Sequence, residues 1–123
     1  MTIERAQDHP TFDSMGNRVT SFAAPARGAT EAGLFRTEIP PGGGSPLHRH
    51  DHIDVFAIER GTCAFHLGDD VFDLAVGDSG IVPTGTWHRL EAGDGGVTLT
   101  VTVLAGTKIE FEDGRQIVPP WLT

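Results

Sequence analysis

The sequence predicts an all-β fold, a sandwich, jelly roll or barrel of about ten short strands. Three observations carry this. Apolar residues alternate with a period of two, most cleanly where Val97, Leu99, Val101 and Val103 share one face and Thr98, Thr100 and Thr102 the other. Turn signals recur roughly every six to ten residues, supplied by 16 glycines and 8 prolines in 123 residues. No stretch of useful length shows the 3.6-residue apolar period of a helix, residues 25–34 being the one ambiguous segment.

Read in order, residues 1–18 are polar and irregular and are expected to form an N-terminal arm, with one domain over 19–123. Phe35, Thr37 and Ile39 alternate with Arg36 and Glu38 until Pro40-Pro41 ends the run. Gly42-Gly43-Gly44 makes a turn; with no helical pattern behind it and no Gly-Lys-Ser/Thr, it is not a phosphate cradle. Residues 54–59 form an apolar strand closed by Gly61, and 62–67 form another that turns at Gly68-Asp69-Asp70 into 71–74. Strands over 80–82 and 87–91 flank the turn Pro83-Thr84-Gly85, and Gly93-Asp94-Gly95-Gly96 separates them from the valine-rich strand. Ile109 and Phe111 lead into a hairpin at Asp113-Gly114, and Pro119-Pro120 keeps the Trp121 tail extended, as a clamp on the barrel end or on a neighbour.

The composition excludes several functions. The formal charge is −8, the only lysine is Lys108, and no basic cluster exists, so neither nucleic acid nor an anionic membrane is an expected partner. Residues 1–25 hold no signal-peptide core, and no run of ~18 apolar residues occurs. Cys63 is the only cysteine and reads as a small core residue. A lone thiol fits a reducing compartment, so the expected location is cytoplasmic.

The chemistry is concentrated in His48, His50, His52 and Asp54, answered about forty residues later by His88. Imidazole nitrogens and a carboxylate suit a borderline divalent metal. His48 and His50 are two apart, so on a strand their side chains leave the same face. His52 and Asp54 keep that parity if the strand continues; a bend there frees one of them. His9 in the arm and His66 beside Phe65 lack such neighbours and read as ordinary histidines.

These spacings resemble the two motifs of the cupin family. Gly42, five residues, His48-Arg49-His50, three residues, Asp54, six residues and Gly61 follow the first motif. Gly77, five residues, Pro83-Thr84-Gly85, two residues, His88, three residues and Ala92 follow the second. The resemblance covers about residues 33–105, with the motifs at 42–61 and 77–92. It implies a cupin jelly-roll barrel holding one divalent transition metal (Fe, Mn, Ni, Co or Zn) on His48, His50, Asp54 and His88, and a homodimer as the usual assembly. Asp54 stands where the motif has glutamate, a loss of ~1.5 Å in reach. The strand moves inward, a water bridges, or three histidines hold the ion with Asp54 behind them; His52 is the competing ligand and otherwise a pocket residue. Ala92 replaces the motif asparagine, which is not a ligand in the family.

A metal inside a jelly roll opens onto a pocket at one barrel mouth, for which Phe35, Phe56, Phe65 and Trp87 are the candidate apolar walls. Trp87 adjoins His88 and so faces oppositely on a regular strand. Arg36, Arg49 and Arg60 alternate outward, and Arg89 has the parity opposite to His88, so the substrate is expected to be small and partly apolar or aromatic rather than a sugar phosphate. The leading expectation is a dioxygenase similar to the quercetinase-like small cupins, with Asp54 as a proton acceptor. A metal-assisted isomerase or cyclase and a non-catalytic small-molecule binder are the alternatives.

Overall fold

The computed structural model describes all 123 residues and is a jelly-roll β barrel. Its strands are β1 (Thr11–Ser14), β2 (Asn17–Ala23), β3 (Ala32–Ile39), β4 (His48–His50), β5 (Asp54–Leu67), β6 (Asp70–Ala75), β7 (Ser79–Val82), β8 (His88–Leu104), β9 (Ile109–Phe111) and β10 (Gln116–Ile117). The hydrogen-bonded order is β1-β2-β3-β8-β4-β9-β10, and β5 pairs with β6, β7 and β8. All pairings are antiparallel. Three single 3-10 turns, at Ala6–Asp8, Pro25–Arg27 and Pro120–Leu122, are the only helical pieces, and none is long enough to cross a membrane.

Two expected pairs of strands are single long strands. β5 runs through Gly61 and β8 through Gly93–Gly96 without breaking. Each shifts its inward face by one residue on the way. In β5 the buried set is Asp54, Phe56 and Ile58 before the shift and Cys63 and Phe65 after it; in β8 it is His88 and Leu90 before, then Val97, Leu99, Val101 and Val103. The β5–β8 register slips between Ile58 and Arg60 and again between Gly61 and Cys63. Glycine permits this because the two chains touch there: Gly61 has φ +77°, and a Cβ on it would lie 2.0 Å from the Gly96 carbonyl oxygen. The glycine run that looked like a turn is a bend in a continuous ladder. Bulges of this kind let one strand serve both leaves of a curled sheet.

The N-terminal arm is shorter than expected. Thr11–Ser14 is a strand at the sheet edge, closed onto β2 by a hairpin in which Met15 (φ 54°) and Gly16 (φ 83°) are left-handed. With Phe12 as its single apolar residue, β1 carries too little alternation to be visible in sequence, yet Phe12 packs on the core. The ambiguous 25–34 segment resolves into the 3-10 turn and the start of β3. The tail turns back after Pro119, burying Leu122 against Gly33, where a Cβ would meet the leucine at 2.5 Å. Trp121 thereby closes one barrel end against Phe12 and Phe35, at centroid separations of 6.3 and 6.0 Å.

Replacing Gly61 by valine puts a branched side chain into both the forbidden φ and the Gly96 backbone. We expect a loss of ~2 kcal/mol or more in urea unfolding. Gly16→Ala, which meets nothing within 4 Å, costs ~1 kcal/mol from its positive φ alone. Equal losses at the two sites contradict the bulge argument.

Candidate metal centre

β4 lies between β8 and β9, with His48 paired directly opposite His88 on one side and Phe111 on the other. The segment leading into it is stitched to β8 by Ser45 N–H to the Leu90 carbonyl (3.0 Å) and by Leu90 N–H to Ser45 Oγ (2.9 Å). The Pro83-Thr84-Gly85 turn is tied down by Gly85 N–H to the His50 carbonyl at 2.8 Å. Both motifs thus meet at one place, and His48, His50 and His88 converge. Their ring centroids are 4.2 Å apart for His48–His88 and 5.0 Å for each of the other two pairs. One ring nitrogen from each lies within 4.8 Å of the other two, so these three side chains could hold a metal ion.

Hydrogen bonding selects which nitrogens face the centre. His48 Nδ1 is 2.7 Å from the Pro46 carbonyl and His88 Nδ1 is 2.9 Å from the Thr86 carbonyl, in both cases two residues upstream. A carbonyl only accepts, so each ring carries its proton on Nδ1 and keeps the lone pair on Nε2. Burial lowers the pKa of His48, and burial with the neighbouring imidazoles lowers His50 to about 3 and His88 to about 4. The rings are therefore neutral at physiological pH, which is the state that binds a cation. Neutral donors from two paired strands, two of them buried and one half-buried, fit a borderline divalent ion.

Asp54 lies outside this set. Its Oδ2 is 3.3 Å from His50 Nδ1, near but misaligned for a hydrogen bond, and both Asp54 Oδ1 and His50 Nδ1 are buried without partners. Burial raises the Asp54 carboxyl to about 7. One methylene short of a glutamate, the carboxylate stops at the His50 ring. His52 does not compete: the chain bends over residues 51–53, and the half-exposed imidazole sits 2.9 Å from Asp51 Oδ1. The bend breaks the parity that would have aimed it inward, which corrects its assignment to the pocket.

The three histidines and Asp54 open onto a cavity of about 370 Å³. Phe35, Phe56 and Phe65 line it, with Phe56 and Phe65 4.9 Å apart and Phe65 stacked on His88 at 5.8 Å. Trp87 does not: it lies under the Arg49 guanidinium at 4.7 Å, and Arg49 is ion-paired with Glu110. Trp121, Ile109, Phe111 and Arg115 complete the wall and were not foreseen as lining. They lie beyond the second motif, and the return of β9 beside β4 and of the tail against Phe12 and Phe35 brings them back. Cys63 is buried away from this cavity, its thiol raised to about 11 by burial and by Asp73 and Asp78, and stays protonated.

Comparison with protein families matches residues 35–105 to the cupin domain. No curated protein sequence is matched by this chain. Among solved structures it is similar to an RmlC-like cupin from Shewanella frigidimarina (19% identity, TM-score 0.72, covering 85% of this chain and 90% of that one). It is also similar to the polyketide cyclase RemF from Streptomyces resistomycificus (17%, TM-score 0.78, 98% and 88%) and to oxalate decarboxylase from Bacillus subtilis (16%, TM-score 0.71, 78% and 27%). At these identities the structures share a fold with this chain, and the fold alone does not fix a reaction. With the family match spanning more than half of its length, over the strands that build the histidine cluster, this chain belongs to the cupin family.

Proposed function

We propose that the protein is a metal-dependent enzyme acting on a small, partly apolar or aromatic molecule, and that dioxygenation is its reaction. The observation that supports this best is the open face of the histidine cluster. One nitrogen from each of three neutral imidazoles comes together at the wall of an apolar cavity, and three protein donors leave positions free on an ion that prefers four to six ligands. A divalent transition ion held there supplies a Lewis acid for a substrate oxygen and, when redox-active, the electron traffic that insertion of both atoms of one O2 requires.

The chain's own residues do the rest. Asp54 Oδ2 lies 3.3 Å from His50 Nδ1, so a small rotation of the ionised carboxylate would let it accept the His50 Nδ1–H and orient that ring. Its carboxyl, held near 7 by burial, takes a proton from a substrate hydroxyl at neutral pH without a large penalty in either state. Phe56 and Phe65 form a rigid wall that orients an aromatic ring and keeps water from the reacting end.

A second reading, metal-assisted cyclisation or isomerisation, draws on one specific feature: the likeness to a polyketide cyclase spans nearly the whole chain. Here Asp54 moves a proton between substrate atoms and no oxidant is consumed.

Elemental analysis after dialysis against Fe(II), Mn(II), Ni(II) or Zn(II) is expected to find one ion per chain. His48→Ala, His50→Ala and His88→Ala each weaken retention by more than the ~10–100-fold expected for Asp54→Asn; full retention in His88→Ala overturns the site. An oxygen electrode with the Fe(II), Mn(II) or Ni(II) protein and hydroxylated aromatic substrates is expected to record one O2 consumed per product. Undiminished anaerobic turnover with Zn(II) replaces dioxygenation by the second reading. Filling of the cavity is expected to quench Trp121 rather than Trp87, so 2-naphthol quenches the fluorescence of Trp87→Phe and leaves that of Trp121→Phe unchanged; the reverse pattern places the ligand elsewhere.

A further inference from the structure

We propose that the cavity selects small apolar or aromatic carboxylic acids, with the Arg115 guanidinium taking the carboxylate at the cavity mouth. This rests on the reading above, in which the cavity is the substrate site of the histidine centre, and it names the substrate class.

Arg115 is the only cationic side chain among the residues lining the cavity. It is also free. Arg18, Arg27, Arg36, Arg49 and Arg89 are each paired with a carboxylate, in a chain carrying 17 acidic residues, whereas no carboxylate oxygen comes within 4.0 Å of the Arg115 guanidinium nitrogens. The two acids that share the lining are otherwise placed: Asp13 accepts the Gly16 N–H at 3.2 Å, and Asp54 lies against His50.

The arginine is held in position. It sits on the tight β9–β10 hairpin, where Phe111 N–H donates to the Arg115 carbonyl at 2.9 Å and Arg115 N–H donates to Asp113 Oδ1 at 2.9 Å. Its guanidinium lies over the Phe111 ring, 4.6 Å from the centroid. Phe111 is in turn the residue paired opposite His48. A ligand in the cavity therefore meets the imidazole cluster, the exposed fork of Arg115 and the aromatic walls. A planar guanidinium with unused N–H donors matches a carboxylate in two parallel hydrogen bonds. Without it, an anion would enter a cavity lined by two acids on a chain of formal charge −8, so this one side chain decides between an acid and its neutral isostere.

The test is calorimetric titration of 2-naphthoate and 2-naphthamide at pH 8 into the full chain, metal-free and Zn(II)-loaded, as wild type, Arg115→Gln and Arg115→Lys. About a tenfold preference for the acid is expected in the wild type. It is abolished in Arg115→Gln and retained in part in Arg115→Lys, and it is present in the metal-free chain. Equal affinity for the two probes in the wild type overturns the inference, as does failure of both to bind. A preference that survives Arg115→Gln also overturns it, since the acid is then held at the histidine centre. An Arg115-dependent preference in a chain that takes up no metal supports the carboxylate site and overturns the metal reading instead.

Discussion

The structure depends on three clustered imidazoles that are neutral and held largely out of water, two of them buried and one half-buried. Taking His48, His50 and His88 out of water disfavours their charged forms, and packing them together adds mutual repulsion to any proton they would accept. A buried polar ring without partners is costly, and two of the three are satisfied at Nδ1 by a carbonyl two residues upstream. Those carbonyls belong to Pro46 and to Thr86 in the Pro-Thr-Gly turn, so the backbone conformation before each histidine, rather than the histidine itself, determines where Nε2 points. Beside His50 stands Asp54 at the start of β5, whose Oδ2 lies 3.3 Å from Nδ1 without forming a hydrogen bond.

Everything around the cluster serves to bring β4, β5 and β8 into register behind it. The two long strands each change their inward face by one residue, and they do so together where Gly61 and Gly96 touch. This is what allows His88 and Leu90 to face inward at one end of β8 while Val97 to Val103 face inward along the rest. A side chain at Gly61 would force the strands apart at the bend and shift one half of the ladder relative to the other. The apolar cavity is a consequence of the same curl: aromatic residues of β3 and β5 face across the barrel, and the tail closes the end they leave open.

Much of this was legible in the sequence, because the signals are local. The period-two alternation of Val97–Val103 and the His-x-His pair follow from strand geometry alone, and the two motif spacings place His88 with them. Phe35, Phe56 and Phe65 each follow the alternation of their own stretch of strand, Phe56 and Phe65 on either side of the shift in β5. Failures occur where a local signal has two meanings. Gly93-Asp94-Gly95-Gly96 reads as a turn, yet Gly96 is needed for close approach of another strand. His52 keeps the right parity only if the chain stays extended, and it bends at residues 51–53 instead. Trp121, Phe111 and Arg115 are brought to the cavity by non-local pairing, and the sequence around them carries no periodic or motif signal for that.

The central claim is that Nδ1 of His48 and of His88 is tied to a backbone carbonyl, which leaves the Nε2 lone pair of each ring free for the metal centre. Long-range ¹H–¹⁵N correlation of the imidazole rings in ¹⁵N-labelled, metal-free protein at pH 8 reads this directly. His48 and His88 are expected as neutral rings protonated on Nδ1, with unprotonated Nε2, and His50 as a neutral ring. Signals from His48 and His88 with the proton on Nε2, or rings exchanging freely between tautomers as in an exposed histidine, would contradict the account.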